Sequence, residues 1–190
     1  STGEYIEGRR YEIDPVAVLT EKGIDLLVNI SASPFVENKN GAKHERIAAL
    51  SKKWNIPVVY VNQVGGNDSL IFDGGSFAVK NGKITACGRS FEEDLVLADS
   101  ESGAEVSFPE EGMGAIESAL VLGIRDYCRK CGFSRAVLGL SGGIDSAVTA
   151  ALAVKALGKE NVLGVTMPSR FSSNGSVDDS AALSRNLGIR

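Results

Sequence analysis

No apolar run in this chain is long enough to span a bilayer, and no charged-then-apolar segment opens it. Neither a membrane partner nor a secretory leader is expected. Only three cysteines occur among 190 residues, too few for a disulfide scaffold, so a cytoplasmic setting is expected. A basic excess is also missing: the net charge is −4 and the pI about 5.1. Without a basic stripe to meet a phosphate backbone, no nucleic-acid partner is expected. There is no internal repeat and no low-complexity tract. What remains is an ordinary globular profile, 43% hydrophobic and 23% charged, of a length that allows one or two domains.

The most informative stretch is Ser141-Gly142-Gly143-Ile144-Asp145-Ser146. The apolar run Ala136-Val137-Leu138-Gly139-Leu140 before it predicts a buried strand. Ile144, Val148 and Leu152 after it recur every fourth residue and predict a helix with one apolar face. Strand, glycine-rich turn and helix together expose N–H groups at a helix N-terminus, where the dipole favours an anion. Gly142 and Gly143 would let a phosphate approach and allow positive φ. An alanine at Gly143 is therefore expected to penalise a positive φ and block phosphate. Ser141 and Ser146 add hydroxyl donors. Asp145 would repel a bare phosphate, and it makes sense as a ligand of Mg²⁺ that bridges to phosphates. No Lys-Ser/Thr follows the glycines, so this is not a Walker loop, nor is it a dinucleotide Gly-x-Gly-x-x-Gly. An ordinary tight turn is the plainer alternative.

Read in order, Asp14 and Pro15 predict the start of a helix over 14–22, with Val16 and Leu19 apolar and Gly23 its stop. A buried strand is predicted over 24–30, a helix over 42–54 with Ile47, Leu50 and Trp54 on one face, and a strand over 57–63. A loop is predicted over 64–68. Strands over 70–79 and 83–86 are joined by Asn81-Gly82, a strong hairpin signal. A short closing strand is predicted over 93–98. Acidic and small residues with Pro109 and Gly112 mark 99–112 as a linker. A helix over 113–130, a second strand over 161–167 and a loop over 168–175 follow. Ser176 is expected to cap the last helix, with Asp179 completing a capping box. Both ends read as cut, so a longer chain is expected.

Two groups of segments carry a family resemblance. Val28-Asn29-Ile30-Ser31-Ala32-Ser33-Pro34-Phe35, Val59-Tyr60-Val61-Asn62-Gln63-Val64-Gly65-Gly66 and Phe72-Asp73-Gly74-Gly75-Ser76 resemble the later part of the nitrilase-like glutaminase domain of glutamine-dependent NAD⁺ synthetases. Leu140 to Ser146, Met167-Pro168-Ser169-Arg170-Phe171-Ser172-Ser173, Ser176-x-x-Asp179 and Leu187-Gly188-Ile189 resemble the start of that family's ATP-pyrophosphatase domain. The fold this implies is α/β: part of a nitrilase-like α-β-β-α sandwich over 1–98, the linker over 99–112, and part of a Rossmann-like adenine-nucleotide α-hydrolase domain with a parallel sheet over 113–190.

The chemistry implied is ATP-dependent amidation of deamido-NAD⁺ through an adenylate, giving NAD⁺, AMP and pyrophosphate. The ammonia comes from glutamine. ATP and Mg²⁺ are the implied cofactors; deamido-NAD⁺ and glutamine or ammonia are the partners, and a homo-oligomer is implied. Ser141, Gly142, Gly143 and Ser146 would hold phosphates, and Asp145 the metal. Thr166 and Met167 end the next strand at the sheet's carboxyl edge, where their backbone would face adenine, and Arg170 sits in a loop that could cover the site. The family's Glu-Lys-Cys set should precede Ser31, yet residues 1–30 contain no cysteine. No catalytic residue of the glutaminase is therefore assigned, and no glutaminase activity is expected. Ser31 and Ser33 would position glutamine, with a cation from the next helix. Arg46 suits that role by its bidentate grip on a carboxylate, while Lys43 fits the spacing.

Other tempting residues read more plainly. Cys128-x-x-Cys131 ends a helix instead of starting one, so a structural role is expected. His44, among charged neighbours, reads as a solvated helix residue. Another ATP-pyrophosphatase amidotransferase, such as a GMP or asparagine synthetase, is disfavoured by 27–76, since those carry glutaminases of other folds. A nucleotide-binding or assembly module without turnover remains the alternative of a different class.

Overall fold

The computed structural model describes residues 13–99, 105–107, 112–168 and 174–190. The chain divides into two compact units: Ser1–Val64 with Phe72–Gly112, and Gly65–Ile71 with Met113–Arg190.

In the first unit Asp14 accepts N–H bonds from Val16 and Ala17 and Pro15 opens α1 (Pro15–Glu21), as the capping signals predict. Val16 is buried, but Leu19 is exposed. The strands β1 (Leu27–Ser31), β2 (Val58–Asn62), β5 (Phe77–Lys80) and β6 (Lys83–Cys87) form one sheet in the order β1-β2-β5-β6. β1 runs parallel to β2, and the other pairs are antiparallel. Asn81 and Gly82 turn the β5–β6 hairpin with φ of 51° and 79°, the left-handed pair that a two-residue loop needs. α2 (Lys39–Trp54) buries Ile47 against Ile56, Val58, Tyr60, Phe77 and Val79, with Leu50 and Trp54 packed partly against them.

Three expectations for this unit are corrected. The first strand is not buried: Val28 and Ile30 are 53% and 85% exposed. α2 starts at Lys39 because Asn38 takes the left-handed conformation and Gly41 is accepted within the helix. No closing strand forms over 93–98. Asp94 instead accepts the N–H groups of Arg89 and Leu95, a local arrangement that competes with a ladder. Those N–H bonds also hold the Asp94 carboxyl below its usual range.

The predicted loop over 64–68 is largely strand. β3 (Val64–Asn67) pairs with β4 (Leu70–Asp73), and the segment Gly65–Ile71 belongs to the second unit. There it lies on α3 (Met113–Lys130). Asp126, buried on α3, accepts the Gly66 N–H at 2.8 Å, and the Lys130 ammonium donates to the Gly66 carbonyl. Side chains are missing where the backbones meet: a Cβ on Gly66 would lie 3.2 Å from the Gly123 Cα.

The rest of the second unit is a βαβ arrangement, β7 (Ala136–Gly139), α4 (Ile144–Leu157) and β8 (Val162–Val165), followed by α5 (Asn174–Leu187). β7 and β8 are parallel and in register from Ala136–Val162 to Gly139–Val165. Ala153, Val162 and Ile189 form its core. The predicted apolar face of α4 is not the buried one. Ile144 and Val148 are exposed, while Ala150 and Ala153 are buried, because small side chains let the helix lie close to its neighbours. Val137 is likewise exposed, so β7 is not a fully buried strand. α5 begins two residues before Ser176, which puts Ser176 and Asp179 inside the helix instead of at its cap. The 99–112 linker falls largely outside the described residues, as do 169–173 of the 168–175 loop. No helix among the described residues is long and apolar enough to cross a membrane.

Candidate functional site

Two clusters of polar side chains coincide with the predicted site residues, one in each unit. In the second unit β7 delivers Leu140 to the sheet's carboxyl edge, where its N–H donates to the Val165 carbonyl at 2.9 Å. That bond sets Ser141 and Thr166 side by side just beyond the two parallel strands. Met167 joins them: its terminal methyl would lie 3.5 Å from a Cβ on Gly139.

The loop is tied by its own hydroxyls. Ser146 Oγ donates to the Gly143 carbonyl at 2.9 Å and lies 3.1 Å from Ser141 Oγ, which accepts the Gly143 N–H at 3.3 Å. Gly142 has φ +78°, whereas Gly143 is the extended N-cap of α4 with φ −91°. The expected positive φ therefore belongs to Gly142, and Gly143 does not need one. α5 closes the other side of the loop. Ser180, 1% exposed, has its Oγ 2.9 Å from the Ser176 carbonyl and 3.3 Å from the Leu140 carbonyl. Asp145 stands exposed in the first turn of α4 and forms no ion pair with a described residue. Arg170 lies outside the described residues.

In the first unit Ser31 ends β1 and Ser33 follows it. Tyr60 donates its hydroxyl to Ser31 Oγ at 3.0 Å. Asn62, at the end of β2, accepts the Ser33 N–H at 2.9 Å and donates to the Ser33 carbonyl at 3.2 Å. Asp73, at the end of β4, accepts from Asn62 at 2.9 Å and Asn40 at 2.8 Å, with the Lys43 ammonium 3.9 Å away. Lys43 is buried and also lies over the Tyr60 ring, while Arg46 is exposed on the same helix. A third cation, Lys39, donates to Ser33 Oγ at 3.3 Å. Sequence reasoning missed Lys39, Asn62 and Asp73. A helical signal was available for Lys39, since it stands four residues before Lys43 on one face.

His44 is not the solvated residue expected. It is half-buried, edge-on to Phe77 at 4.8 Å. Burial, and then the neighbouring Lys43 charge, lower its pKa to about 4 against a smaller opposing effect of Asp73. Cys87 lies in β6, and burial pushes its thiol up. Cys128 is half-buried at the end of α3, and Cys131 is exposed beyond it. An open cleft of about 480 Å³ in the first unit is lined by Asn62, Ser76 and 92–96, but touches neither Ser31 nor Ser33.

A parallel βαβ unit with a hydroxyl-bearing glycine loop at its carboxyl edge is the place where nucleotides bind in open α/β folds, and residues 116–190 match the NAD synthase family. The similarity extends over both units: the chain is homologous to glutamine-dependent NAD(+) synthetases. It is 51% identical over 187 residues to that of Synechocystis sp., covering 94% of this chain and 34% of the relative. It is 40% identical over 186 residues to that of Rhodobacter capsulatus, with 93% and 34% covered. The solved glutamine-dependent NAD+ synthetase of Acinetobacter baumannii in complex with ADP superposes with a TM-score of 0.86 at 39% identity, over 92% of this chain and 34% of that one. The chain thus spans about a third of the length of the relatives it matches.

Proposed function

We propose that this chain forms part of a glutamine-hydrolysing NAD⁺ synthase, a carbon–nitrogen ligase, and that its second unit binds the ATP. The observation that carries this reading is the loop at 141–146. Two linked hydroxyls, a left-handed glycine and a helix N-terminus converge where a pyrophosphate would be held, and the solved Acinetobacter baumannii relative in complex with ADP supports nucleotide binding. Ser141, Gly142, Gly143 and Ser146 would bind phosphate oxygens. Thr166 and Met167 would lie against adenine, and Arg170 would belong to the covering loop. The substrate would be deamido-NAD⁺, its carboxylate adenylated with release of pyrophosphate and then amidated by ammonia.

The residues fit Mg²⁺. Mg²⁺ keeps several waters and takes one or two carboxylates plus substrate phosphates, and Asp145 is one exposed carboxylate beside the phosphate loop. No cluster of three or more acidic, His or Cys side chains occurs among the described residues, so the ion would come with its nucleotide. When bound it neutralises phosphate charge.

The first unit reads as the later part of a nitrilase-like glutaminase domain, over 1–98, joined through 99–112 to the ATP-pyrophosphatase domain over 113–190. Its Ser31 and Ser33 would position glutamine. Arg46 remains the sequence-based candidate for the carboxylate-binding cation. The contact with Ser33 supports Lys39, and Lys43, the residue that fits the spacing, is buried beside Asp73. The chain would supply no glutaminase nucleophile, would act in the cytoplasm, and would assemble as a homo-oligomer.

The test is calorimetric titration of this chain with Mg·ATP. Asp145→Asn should weaken Mg·ATP at least about tenfold, which is about 1.4 kcal/mol, without moving thermal unfolding. Equal affinities with and without the carboxylate would remove Asp145 from the metal site.

A further inference from the structure

We propose that Asp73 is a positioning residue which acts through the Asn62 side chain to fix Ser33; the ligand so served is glutamine, and that part rests on the reading above. Asp73 is 2% exposed, and its carboxylate bonds Asn62 and Asn40 but neither Ser31 nor Ser33. Its two oxygens face three donors: Asn62 Nδ2 at 2.9 Å, Asn40 Nδ2 at 2.8 Å and the Lys43 ammonium at 3.9 Å. An ionised carboxylate only accepts. The Asn62 amide must therefore turn its NH₂ toward Asp73, and its oxygen is left facing the Ser33 N–H.

That orientation has a consequence for the chain beyond β1. β1 ends at Ser31, and beyond it only an isolated antiparallel bridge, Pro34 with Phe72, ties the chain to β4, through the Ser33 carbonyl and not its N–H. The Ser33 N–H is held by Asn62 Oδ1, and its carbonyl, which also takes part in that bridge, accepts from Asn62 Nδ2. Asn62 is itself anchored, since its backbone N–H donates to Ser76 Oγ at 3.0 Å. With the Ser33 backbone fixed, its Oγ meets the Lys39 ammonium. Tyr60 orients Ser31 independently. The charge of Asp73 thus sets the sense of an amide, and the amide sets the position of a serine 40 residues away in sequence. The plainer role for Asp73 is to neutralise buried Lys43, and the two roles differ in what happens at Ser33.

The experiment uses this 190-residue chain, isotope-labelled, and reads backbone amide exchange by NMR. The Leu27 amide, which donates to the Pro57 carbonyl at 3.0 Å, is the reference for the sheet. In Asp73→Asn the amide of Asn62 loses its imposed sense, and Ser33 should exchange at least about tenfold faster, which corresponds to about 1.4 kcal/mol. Leu27 should change little. The exchanged pair Asn62→Asp with Asp73→Asn again places an acceptor at the Ser33 N–H and a donor at position 73, and should restore Ser33 protection. Neutralisation of Lys43 alone predicts that Ser33 does not follow these changes, or that Ser33 and Leu27 lose protection together; either outcome overturns the positioning role. If Asp73→Asn does not fold, the unsubstituted chain still decides: a through-hydrogen-bond coupling should run from the Ser33 nitrogen to the Asn62 side-chain carbonyl. Its absence, with the Leu27–Pro57 coupling present, overturns the proposal. Addition of L-glutamine to the unsubstituted chain is the separate arm. No shift at Ser31 or Ser33 would overturn glutamine as the ligand, and the Asp73 result would be unaffected by it.

Discussion

A Cβ placed on Gly142 would lie 2.5 Å from the carbonyl oxygen of Ser176 and 2.7 Å from its Cα. The first turn of α5 therefore presses on the 141–146 loop at the one residue whose φ, +78°, already requires glycine. Gly143 is different: its nearest neighbour to an added Cβ would be Ser141 Oγ at 3.4 Å. The adjacent glycines are thus predicted to fail in different ways. Gly142→Ala should destabilise the chain by about 2–4 kcal/mol, from the left-handed backbone and the overlap together. Gly143→Ala should leave stability within about 0.5 kcal/mol and weaken Mg·ATP at least about tenfold. Urea unfolding beside calorimetric titration separates the two, and equal losses of stability would show that the loop is only a tight turn.

His44 makes the first unit sensitive to acid. Its folded pKa is about 4, below the ordinary value of 6.5, so the unfolded chain takes up a proton first as pH falls. Stability is complete above pH 6.5 and declines from there to about pH 4, where the folded form protonates too. Half-exposure to solvent reduces the effect to about 1–2 kcal/mol. His44→Gln should flatten this part of the stability–pH curve measured by denaturant unfolding. A curve that keeps its slope would assign the acid sensitivity to other groups.

Asp126 holds Gly66 through a buried carboxylate, with Arg129 3.4 Å away and Lys130 on the Gly66 carbonyl. Removing the acceptor strands the Gly66 N–H. Asp126→Ala should destabilise the second unit by about 2–3 kcal/mol, and amide exchange at Gly66 should rise with it. Protection at Gly66 that survives the substitution would mean that glycine packing alone holds the segment.

The three thiols should differ in reactivity. Cys131 is exposed, whereas burial raises the Cys87 pKa and lowers its thiolate fraction. At pH 8 iodoacetamide should modify Cys131 several-fold faster than Cys87, as read by peptide mass mapping. A glutamine-analogue electrophile should form no adduct on Cys87, and ammonia release from glutamine should not be detectable. An adduct there together with ammonia release would make Cys87 a nucleophile.

The elements legible in the sequence are those decided within a few residues. Asp14 caps the N–H groups two and three residues on, Asn81-Gly82 turns a hairpin with its own φ angles, and Ser141 to Ser146 form a strand–loop–helix whose bonds stay within five residues. Their chemistry is local, so the residue types suffice. Tertiary structure decided the rest. Asp73 meets Asn40 across 33 positions, Asn62 meets Ser33 across 29, and Asp126 meets Gly66 across 60. No periodicity links such residues, and each is an ordinary polar side chain until burial makes its partner obligatory. The same holds for α4, where apolar spacing pointed to Ile144 and Val148 but close packing chose Ala150 and Ala153. It holds again for Gly142, whose need for glycine comes as much from the Ser176 backbone 34 residues on as from its own turn.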